Sequence, residues 1–155
     1  MRAVLQRVME ARVTVGGEIV GEIGQGVLAL VGVADGDTEA DAVYIANKIA
    51  DLRLFPPAES GDSGESLPEQ SLMEVHGAAL VVSQFTLLGD ARKGRRPSWS
   101  EAARPDEGRR LYERVVLLLR ERGIPVETGT FRAHMKVSLI NDGPITILLD
   151  SRKMF

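Results

Sequence analysis

The strongest constraint on the fold is a pair of short, unbroken aliphatic runs at residues 27–33 and 78–82. Neither run alternates with polar residues as a half-buried strand does, and both are shorter than an ordinary helix. Such runs are typical of strands that are buried on both faces. The chain therefore needs further layers of structure on both sides of these strands.

Helical periodicity is found in only two substantial segments. Asp35-Gly36-Asp37-Thr38 supplies a turn and an N-cap, and the apolar stripe that follows ends near Arg53. A second helix is predicted from Pro105 to Gly123. Two helices cannot cover both faces of a sheet of about seven strands, so one sheet is expected to stack on another. The predicted class is α/β, a three-layer α/β/β domain of mixed sheets with its two main helices on one face.

Turn residues separate the remaining predicted elements. Gly16-Gly17 lies between two β-branched runs and predicts a tight hairpin, because both glycines tolerate positive φ. Residues 56–70 are rich in Pro, Gly, Ser and Glu, and they predict an exposed loop. Three strands are expected late in the chain, at residues 126–128, 135–140 and 145–150.

Size and composition restrict the class of protein. The chain has 155 residues, which suits a single domain spanning 1–155, and no apolar run reaches the ~18 residues of a membrane-spanning helix. Gln6 and Arg7 interrupt any signal-peptide core, so we expect a cytosolic protein that contacts no membrane. The absence of cysteine excludes disulfides, thiol nucleophiles and Cys-ligated metals. With only two histidines in addition, no metal and no other cofactor is expected.

The net charge of −3 conceals two opposed segments. Residues 35–74 carry ten acidic and two basic side chains, whereas residues 92–122 carry ten basic and five acidic ones. This asymmetry is typical of a protein with one face that contacts a polyanion. The alternative is a charged loop and helix face that only maintain solubility. The basic segment opens with a loop that contains Arg92, Lys93, Arg95 and Arg96.

The first candidate for chemistry lies where the second aliphatic run becomes polar, at Ser83, Gln84, Phe85 and Thr86. Ligand sites on open sheets tend to lie at strand ends of this kind. The hydroxyls, the amide and the backbone N–H groups are the parts of an oxyanion-stabilising site. The alternative is that these residues only form a local turn, which is the commoner use of Ser and Thr at strand ends.

The second candidate is the Asn-Asp-Gly-Pro sequence at residues 141–144. These residue types are usual in turns, so one interpretation is a turn that joins the strands 135–140 and 145–150. The other interpretation is a cis peptide bond between Gly143 and Pro144, which would present rigid carbonyl groups at a fixed angle.

Together these motifs resemble the D-aminoacyl-tRNA deacylase family, in the same order along the chain. The resemblance rests on Ser83-Gln84-Phe85-Thr86-Leu87, Lys93-Gly94-Arg95-Arg96-Pro97-Ser98 and Asn141-Asp142-Gly143-Pro144. The opening residues 1–8, and Asp37-Thr38 ahead of the first helix, match as well. The resemblance spans essentially the whole chain.

The resemblance implies a homodimeric hydrolase that cleaves the ester between a D-amino acid and the terminal ribose of tRNA. It also implies action on glycine mischarged on alanine tRNA. In the family the Gly-Pro bond is cis, and the pair from one subunit enters the site of the other. Carried over, Gly143 and Pro144 direct their carbonyl groups at the α-amino group of the substrate, and an L side chain collides with them.

By the same resemblance Ser83, Gln84, Phe85 and Thr86 line the catalytic pocket. The N–H groups of Phe85 and Thr86 would stabilise the tetrahedral oxyanion. Thr86 is either the nucleophile or a pocket residue beside a water molecule that the ribose 2′-hydroxyl assists. The scarcity of histidine and the absence of cysteine favour the second mechanism. The basic loop, with Arg92, Lys93, Arg95 and Arg96, would contact phosphates near the acceptor end of the tRNA.

The chain departs from the family pattern in three places. Arg132 stands where a glycine is expected, and His134 stands where an acidic residue is usual. Residues 56–70 lack the family's Gly-Lys-Met-Asn run. Three alternatives stand beside the family activity. The first is a deacylase of altered preference, since Arg132 sits beside the presumed pocket, and the second is a non-catalytic tRNA-binding or nucleic-acid-binding module of the same fold. The third is a purely structural dimer, for which the polar strand ends give no reason.

Overall fold

The structure, a computed structural model, describes residues 1–58 and 68–155. Its helices and strands include both predicted helical segments and the predicted strands, except that the strands predicted at 135–140 and 145–150 are parts of one strand. In chain order they are β1 (Arg2–Val15), β2 (Glu18–Ile23), β3 (Gly26–Gly32), α1 (Glu39–Asp51), β4 (Arg53–Phe55), β5 (Gln70–Ser71), β6 (Ala78–Ser83), a 3-10 helix (Phe85–Leu88), α2 (Pro105–Glu121), β7 (Val126–Thr128) and β8 (Lys136–Asp150).

The sheet is organised by β1, which is long enough to pair with three strands. Residues 2–8 of β1 pair antiparallel with β3, and residues 11–15 pair antiparallel with β2. β8 pairs antiparallel with the opposite edge of β1. β6 and β7 extend the sheet from β3 as parallel neighbours, which makes one mixed sheet of six strands. The hairpin predicted at Gly16-Gly17 joins β1 to β2, and both glycines have positive φ.

This sheet curls on itself, so that β2 lies across β7. A Cβ added to Gly21 would lie only 2.3 Å from the carbonyl oxygen of Thr128, which shows how closely the two strands approach. Val13, Leu28 and Leu80 are buried inside the curl. Both helices cover the other face of the sheet. The α/β class with helices on one face is confirmed, and the two β layers are parts of one curled sheet rather than separate sheets.

Both helices begin as their sequences predict. At the start of α1, the N–H of Thr38 donates to Oδ2 of Asp41 over 2.7 Å, and the two residues form a capping box. α2 begins at Pro105, and the chain leaves it at Gly123, which has positive φ. The hydroxyl of Tyr112 on α2 donates to the carbonyl oxygen of Val81 over 2.7 Å. Burial of the Tyr112 ring raises the pKa of its hydroxyl to about 12, so this anchor between α2 and β6 stays protonated.

One prediction about the chain path is wrong. Residues 141–144 do not form a turn between two strands, because β8 runs through them from Lys136 to Asp150. Both flanks of the motif pair with the same strand, and the chain therefore does not reverse: Val8 lies opposite Asn141, and Gln6 lies opposite Thr146. The intervening residues 142–145 form a bulge in β8. The Gly143-Pro144 bond is cis, as the second interpretation predicted. Of the loop predicted at 56–70, residues 59–67 lie outside the described part of the chain.

Candidate active site

The predicted catalytic corner forms where β6 ends. The backbone N–H of Gln84 donates to the carbonyl oxygen of Val31 over 2.8 Å, which continues the pairing of β6 with β3 by one residue. The chain then turns into the 3-10 helix Phe85–Leu88. Gly32 makes this turn possible, because a Cβ at that position would lie 2.7 Å from the carbonyl oxygen of Gln84.

A cavity of about 470 Å³ opens beside this corner. Three of the four predicted catalytic residues line it, namely Ser83, Gln84 and Phe85. The wall opposite is largely apolar, which suits an organic ligand held by a few polar groups. It is built from the start of α2 and from the segment before β8, with Ala103, Pro105, Gly108, Phe131, Arg132, Ala133, His134, Met135 and Val137.

Two backbone donors are available at the corner. The N–H groups of Phe85 and Thr86 open the 3-10 helix, and neither donates to any described residue. Free N–H groups at a helix start are intrinsic anion binders. The Thr86 hydroxyl accepts a hydrogen bond from the Gln84 side-chain amide, and Thr86 is not among the residues that line the cavity. The corner therefore offers donors for a developing negative charge.

The cavity holds few groups that could act as a base. Among the described residues that line it there is no carboxylate, and His134 is the one imidazole. No described carboxylate or histidine is hydrogen-bonded to the Thr86 hydroxyl. Within residues 1–58 and 68–155, no three His, Cys, Asp or Glu side chains are grouped so that they could hold a metal ion. This arrangement favours stabilisation of charge over activation of a protein nucleophile.

The structure places Gly143 and Pro144 away from this cavity. Pro144 lines a different cavity of about 570 Å³, together with Arg7, Leu54 and Phe55. The two cavities share no described lining residue. Within one chain, the Gly-Pro pair and the catalytic corner therefore do not form a common site.

The basic loop begins just after the corner and packs back against it. Asp90 and Ser98 close the loop through paired backbone hydrogen bonds of 2.7 and 2.9 Å. The adjoining Trp99 ring meets the Phe85 ring edge-on, with centroids 6.0 Å apart. Arg92 forms an ion pair of 2.7 Å with Asp90, and hydrogen bonds from Arg92 hold the pKa of Asp90 far below its ordinary value. The other predicted tRNA contacts are exposed and pair with no described carboxylate: Lys93, Arg95 and Arg96.

The helical half of the basic segment has a different character. Three of its four arginines on α2 are paired with carboxylates, for example Arg110 with Glu107 and Arg109 with Glu113. The fourth, Arg120, donates to the carbonyl oxygen of Val126. Arg122, just past α2, pairs with Asp51. The positive charge that the sequence concentrates at residues 92–122 is therefore available mainly in the loop, and the solubility interpretation suits the helix face better.

Comparison with known proteins identifies the family. A family model described as D-Tyr-tRNA(Tyr) deacylase matches residues 4–150. This chain belongs to that family. The D-aminoacyl-tRNA deacylase of Thermotoga petrophila is 56% identical to the chain over 155 residues, which are 100% of both proteins. That of Geobacter sulfurreducens is 56% identical over 152 residues, which cover 98% of this chain and 96% of the relative.

Two solved structures share the fold of this deacylase-family chain. One, described as c-Myc DNA Unwinding Element Binding Protein, has a TM-score of 0.85 and 37% identity, and the match covers 97% of this chain and 98% of the other. A probable eukaryotic D-amino acid tRNA deacylase has a TM-score of 0.78 at 23% identity, covering 96% and 97%. The second likeness concerns the fold alone.

Arg7 and Asn141 hold the Gly-Pro bulge of the deacylase, a role that the sequence analysis assigned to neither of them. Nε of Arg7 donates to the carbonyl oxygen of Asp142 over 3.0 Å and lies 3.1 Å from the Asp142 carboxylate. The Asn141 side chain accepts the N–H of Ile145 over 2.8 Å and donates to the carbonyl oxygen of Ile145 over 3.2 Å. The role of Asn141 could have been predicted locally, since asparagine side chains often bond to nearby backbone groups. The role of Arg7 could not, because Arg7 lies on β1 and bonds to Asp142 across the sheet.

The backbone conformation at Arg132, where the family resemblance predicts a glycine, is one that glycine adopts more readily than arginine. Arg132 has a φ of 65°, in the left-handed region that favours glycine. This conformation therefore suits the glycine that the family resemblance predicts at this position. An arginine there costs about 1–2 kcal/mol of backbone strain.

Within residues 1–58 and 68–155, the deacylase has no helix with both the length and the apolar character needed to cross a bilayer.

Proposed function

We propose that the enzyme hydrolyses D-aminoacyl-tRNA in the cavity beside β6, in the cytoplasm where translation takes place. Water adds to the carbonyl carbon of the ester and forms a tetrahedral oxyanion. The bond from that carbon to the ribose oxygen then breaks, the ribose oxygen takes a proton, and free tRNA and the D-amino acid leave. Family membership supports the reaction, and the free N–H groups of Phe85 and Thr86 carry the assignment of the site.

The two N–H groups act on the transition state. They are held by the 3-10 helix and need no reorganisation when negative charge develops on the carbonyl oxygen. Loss of one such donor typically costs about 2.7–4 kcal/mol of transition-state stabilisation. Ser83 and Gln84 complete the polar wall of the cavity and hold the ester against the donors.

Water is the nucleophile in this proposal, and the ribose 2′-hydroxyl of the tRNA assists it. The support is the environment of Thr86, whose hydroxyl accepts a bond from Gln84 and has no described carboxylate or imidazole beside it. A hydroxyl nucleophile needs a base within hydrogen-bond reach. Thr86 therefore serves through its backbone N–H and as a partner of Gln84.

Gly143 and Pro144 from a partner subunit close the site and exclude L-amino acids. The pair is remote from the cavity of its own chain but firmly held by Arg7 and Asn141. A wall that does not yield is what discrimination between mirror images needs, because both enantiomers are equally hydrophobic. Glycine has no side chain that such a wall could reject, so glycine mischarged on alanine tRNA is also hydrolysed.

A homodimer is the assembly that this arrangement requires. β8 is an edge strand of 15 residues that pairs with no described strand except β1. Along it Ile140 and Leu148 are 50% and 61% exposed. A long edge with exposed apolar side chains is a surface that proteins cover. Light scattering combined with size-exclusion chromatography tests the dimer, and a monomer at micromolar concentration would contradict it.

The shared site has its own test in mixed dimers. Gly143→Val places a side chain in the Gly-Pro pair, and Gly32→Val displaces the catalytic corner. Each homodimer is expected to be inactive, whereas subunit exchange between them should restore about a quarter of wild-type activity, since half of the dimers carry one intact site. Two active sites that each lie within one chain would give no restoration.

The loop cations Lys93, Arg95 and Arg96 bind phosphates of the acceptor end. They supply affinity without reading sequence. Replacing all three by Gln is expected to raise KM and to flatten the dependence of binding on salt, with little change in kcat. The matched control is Arg110→Gln on α2, whose charge is already paired with Glu107.

The decisive assay compares esters on tRNA of D-Tyr, L-Tyr, Gly and L-Ala. The D-Tyr and Gly esters are expected to be hydrolysed, and the two L esters to persist. A second candidate function is nucleic-acid binding without turnover, which is favoured by the likeness to the protein described as c-Myc DNA Unwinding Element Binding Protein. Tight binding of tRNA with no hydrolysis of any of the four esters would establish that alternative instead.

A further inference from the structure

Arg132 differs from the other described residues that line the cavity because it carries a permanent charge. Among the described residues that line the cavity it is the one permanently charged side chain. It is exposed, and it forms no ion pair or side-chain hydrogen bond with a described residue. No carboxylate in the described lining offsets its charge. The cavity therefore presents a positive group that has no protein partner.

The backbone at Arg132 indicates that this side chain is kept for a reason other than folding. Its φ of 65° is unfavourable for any residue with a Cβ, and glycine would relieve the strain at once. Strained positions of this kind tend to lie at functional sites. The strain and the place beside Ser83, Gln84 and Phe85 are independent observations, and both concern the same residue.

The chemistry of the substrate leaves one partner for this guanidinium. An aminoacyl ester at the end of tRNA has a cationic α-amino group, a neutral ester and a neutral nucleoside. Its nearest anion is the phosphate that links the terminal nucleoside to the rest of the RNA. We infer that Arg132 binds this terminal phosphate and so positions the ester against the Phe85 and Thr86 donors. This inference rests on the proposed function and adds a phosphate subsite to it.

The surrounding charges agree with a path for RNA on this side of the cavity. Arg104 is exposed and lies between Ala103 and Pro105, which both line the cavity, and it pairs with no described carboxylate. Trp99, which follows the basic loop in the chain, contacts the Phe85 ring and so joins the loop to the cavity wall. Three of the α2 arginines farther along, Arg109, Arg110 and Arg114, are paired with carboxylates. Arg104, next in sequence to two lining residues, is thus a second cation without a described carboxylate partner on this side, and Arg132 is the cation that lines the cavity.

The test uses two small substrates that differ only in this phosphate. One is the D-tyrosyl ester of adenosine on the 3′-oxygen, and the other carries a phosphate on the 5′-oxygen as well. Wild-type enzyme is expected to hydrolyse the phosphorylated ester with a KM roughly tenfold lower, as one charge-assisted contact provides. Arg132→Gly should hydrolyse both with the same KM, and Arg132→Lys should recover part of the difference. Lys136→Gln, an equal loss of charge outside the cavity, should keep the wild-type preference.

The outcomes separate this inference from the proposed function. Hydrolysis by the wild type with no preference for the phosphate would overturn the Arg132 subsite and leave the deacylase activity standing. A preference that survives in Arg132→Gly would overturn the subsite as well. Failure of the wild type to hydrolyse either ester or D-tyrosyl-tRNA would overturn the proposed function, and the subsite with it. Thermal unfolding of Arg132→Gly checks folding, and a rise in Tm is expected from the relieved strain.

Discussion

Gly32→Ala offers a direct way to move the catalytic corner without touching a residue of the cavity. Gly32 ends β3 and lies behind the turn from β6 into the 3-10 helix. An added Cβ would lie 2.6 Å from Cδ2 of Leu88 and 2.7 Å from the carbonyl oxygen of Gln84. Leu88 is only 2% exposed, so its side chain has little room to withdraw. The corner itself must therefore shift.

The size of the shift follows from these distances. Ordinary contacts of a Cβ begin at 3.4 Å, so the carbonyl of Gln84 has to retreat by about 0.7 Å. Gln84 directly precedes the two donor N–H groups, and they move with it. Misplacement of catalytic groups by about 1 Å can cost about 100-fold in rate, so we expect kcat to fall by about 10- to 100-fold. Overpacking should also cost about 1–3 kcal/mol of unfolding free energy.

Steady-state hydrolysis of D-tyrosyl-tRNA measures the first effect, and urea unfolding measures the second. Gly24→Ala is the matched control, because a Cβ there meets nothing within 4 Å. It should retain wild-type kcat. A folded Gly32→Ala enzyme with wild-type kcat would refute the role of the corner, since its donors would have moved without consequence. A loss of stability alone would refute it in the same way.

Three further predictions concern the site and its support. Thr86→Ala should lower kcat by less than about tenfold, because the backbone N–H remains and only one hydrogen bond is lost; near-complete inactivation would make Thr86 the nucleophile. Asn141→Ala removes the bonds to Ile145 and should reduce discrimination against L-Tyr by about tenfold, measured as the ratio of kcat/KM for D and L esters. The hydrogen bond from Arg122 lowers the pKa of Asp51, so this exposed pair adds stability above about pH 4, which is lost as the pH falls through the folded-state pKa. Asp51→Asn should therefore be less stable than wild type at pH 7 by at most about 1 kcal/mol, and this deficit should shrink as the pH falls through the folded-state pKa of Asp51, whereas a deficit that stays the same at low pH would contradict the linkage.

Local signals in the sequence were sufficient for the elements that flank the site. The aliphatic run before Ser83 predicted a buried strand, and the change to polar residues predicted where that strand ends. Pro105 and Thr38 predicted the helix starts for reasons that lie within one turn of chain. These features depend on residues that are neighbours in sequence, which is why the sequence alone sufficed.

The motif at residues 141–144 shows where local reasoning fails. Its composition suits a turn, yet both flanks pair with β1, so the chain continues as a bulged strand. Arg7 holds that bulge although 135 residues separate it from Asp142. No local pattern reports a partner that distant. The same holds for the charge asymmetry, because ion pairs such as Arg122 with Asp51 appear only once α1 and α2 pack together.

By itself, the sequence determined both helices and most of the strands, which residues carry the family motifs, and which chemistries lack the necessary side chains. Only the tertiary structure decided that β1 organises a curled sheet of six strands, that Gly143 and Pro144 lie apart from Ser83 in the same chain, and that Arg132 lines the cavity in a left-handed conformation. The physical reason is the range of the interactions. Hydrophobic periodicity and capping act within a few residues, whereas strand register, charge pairing and the shape of a cavity depend on residues that only folding brings together.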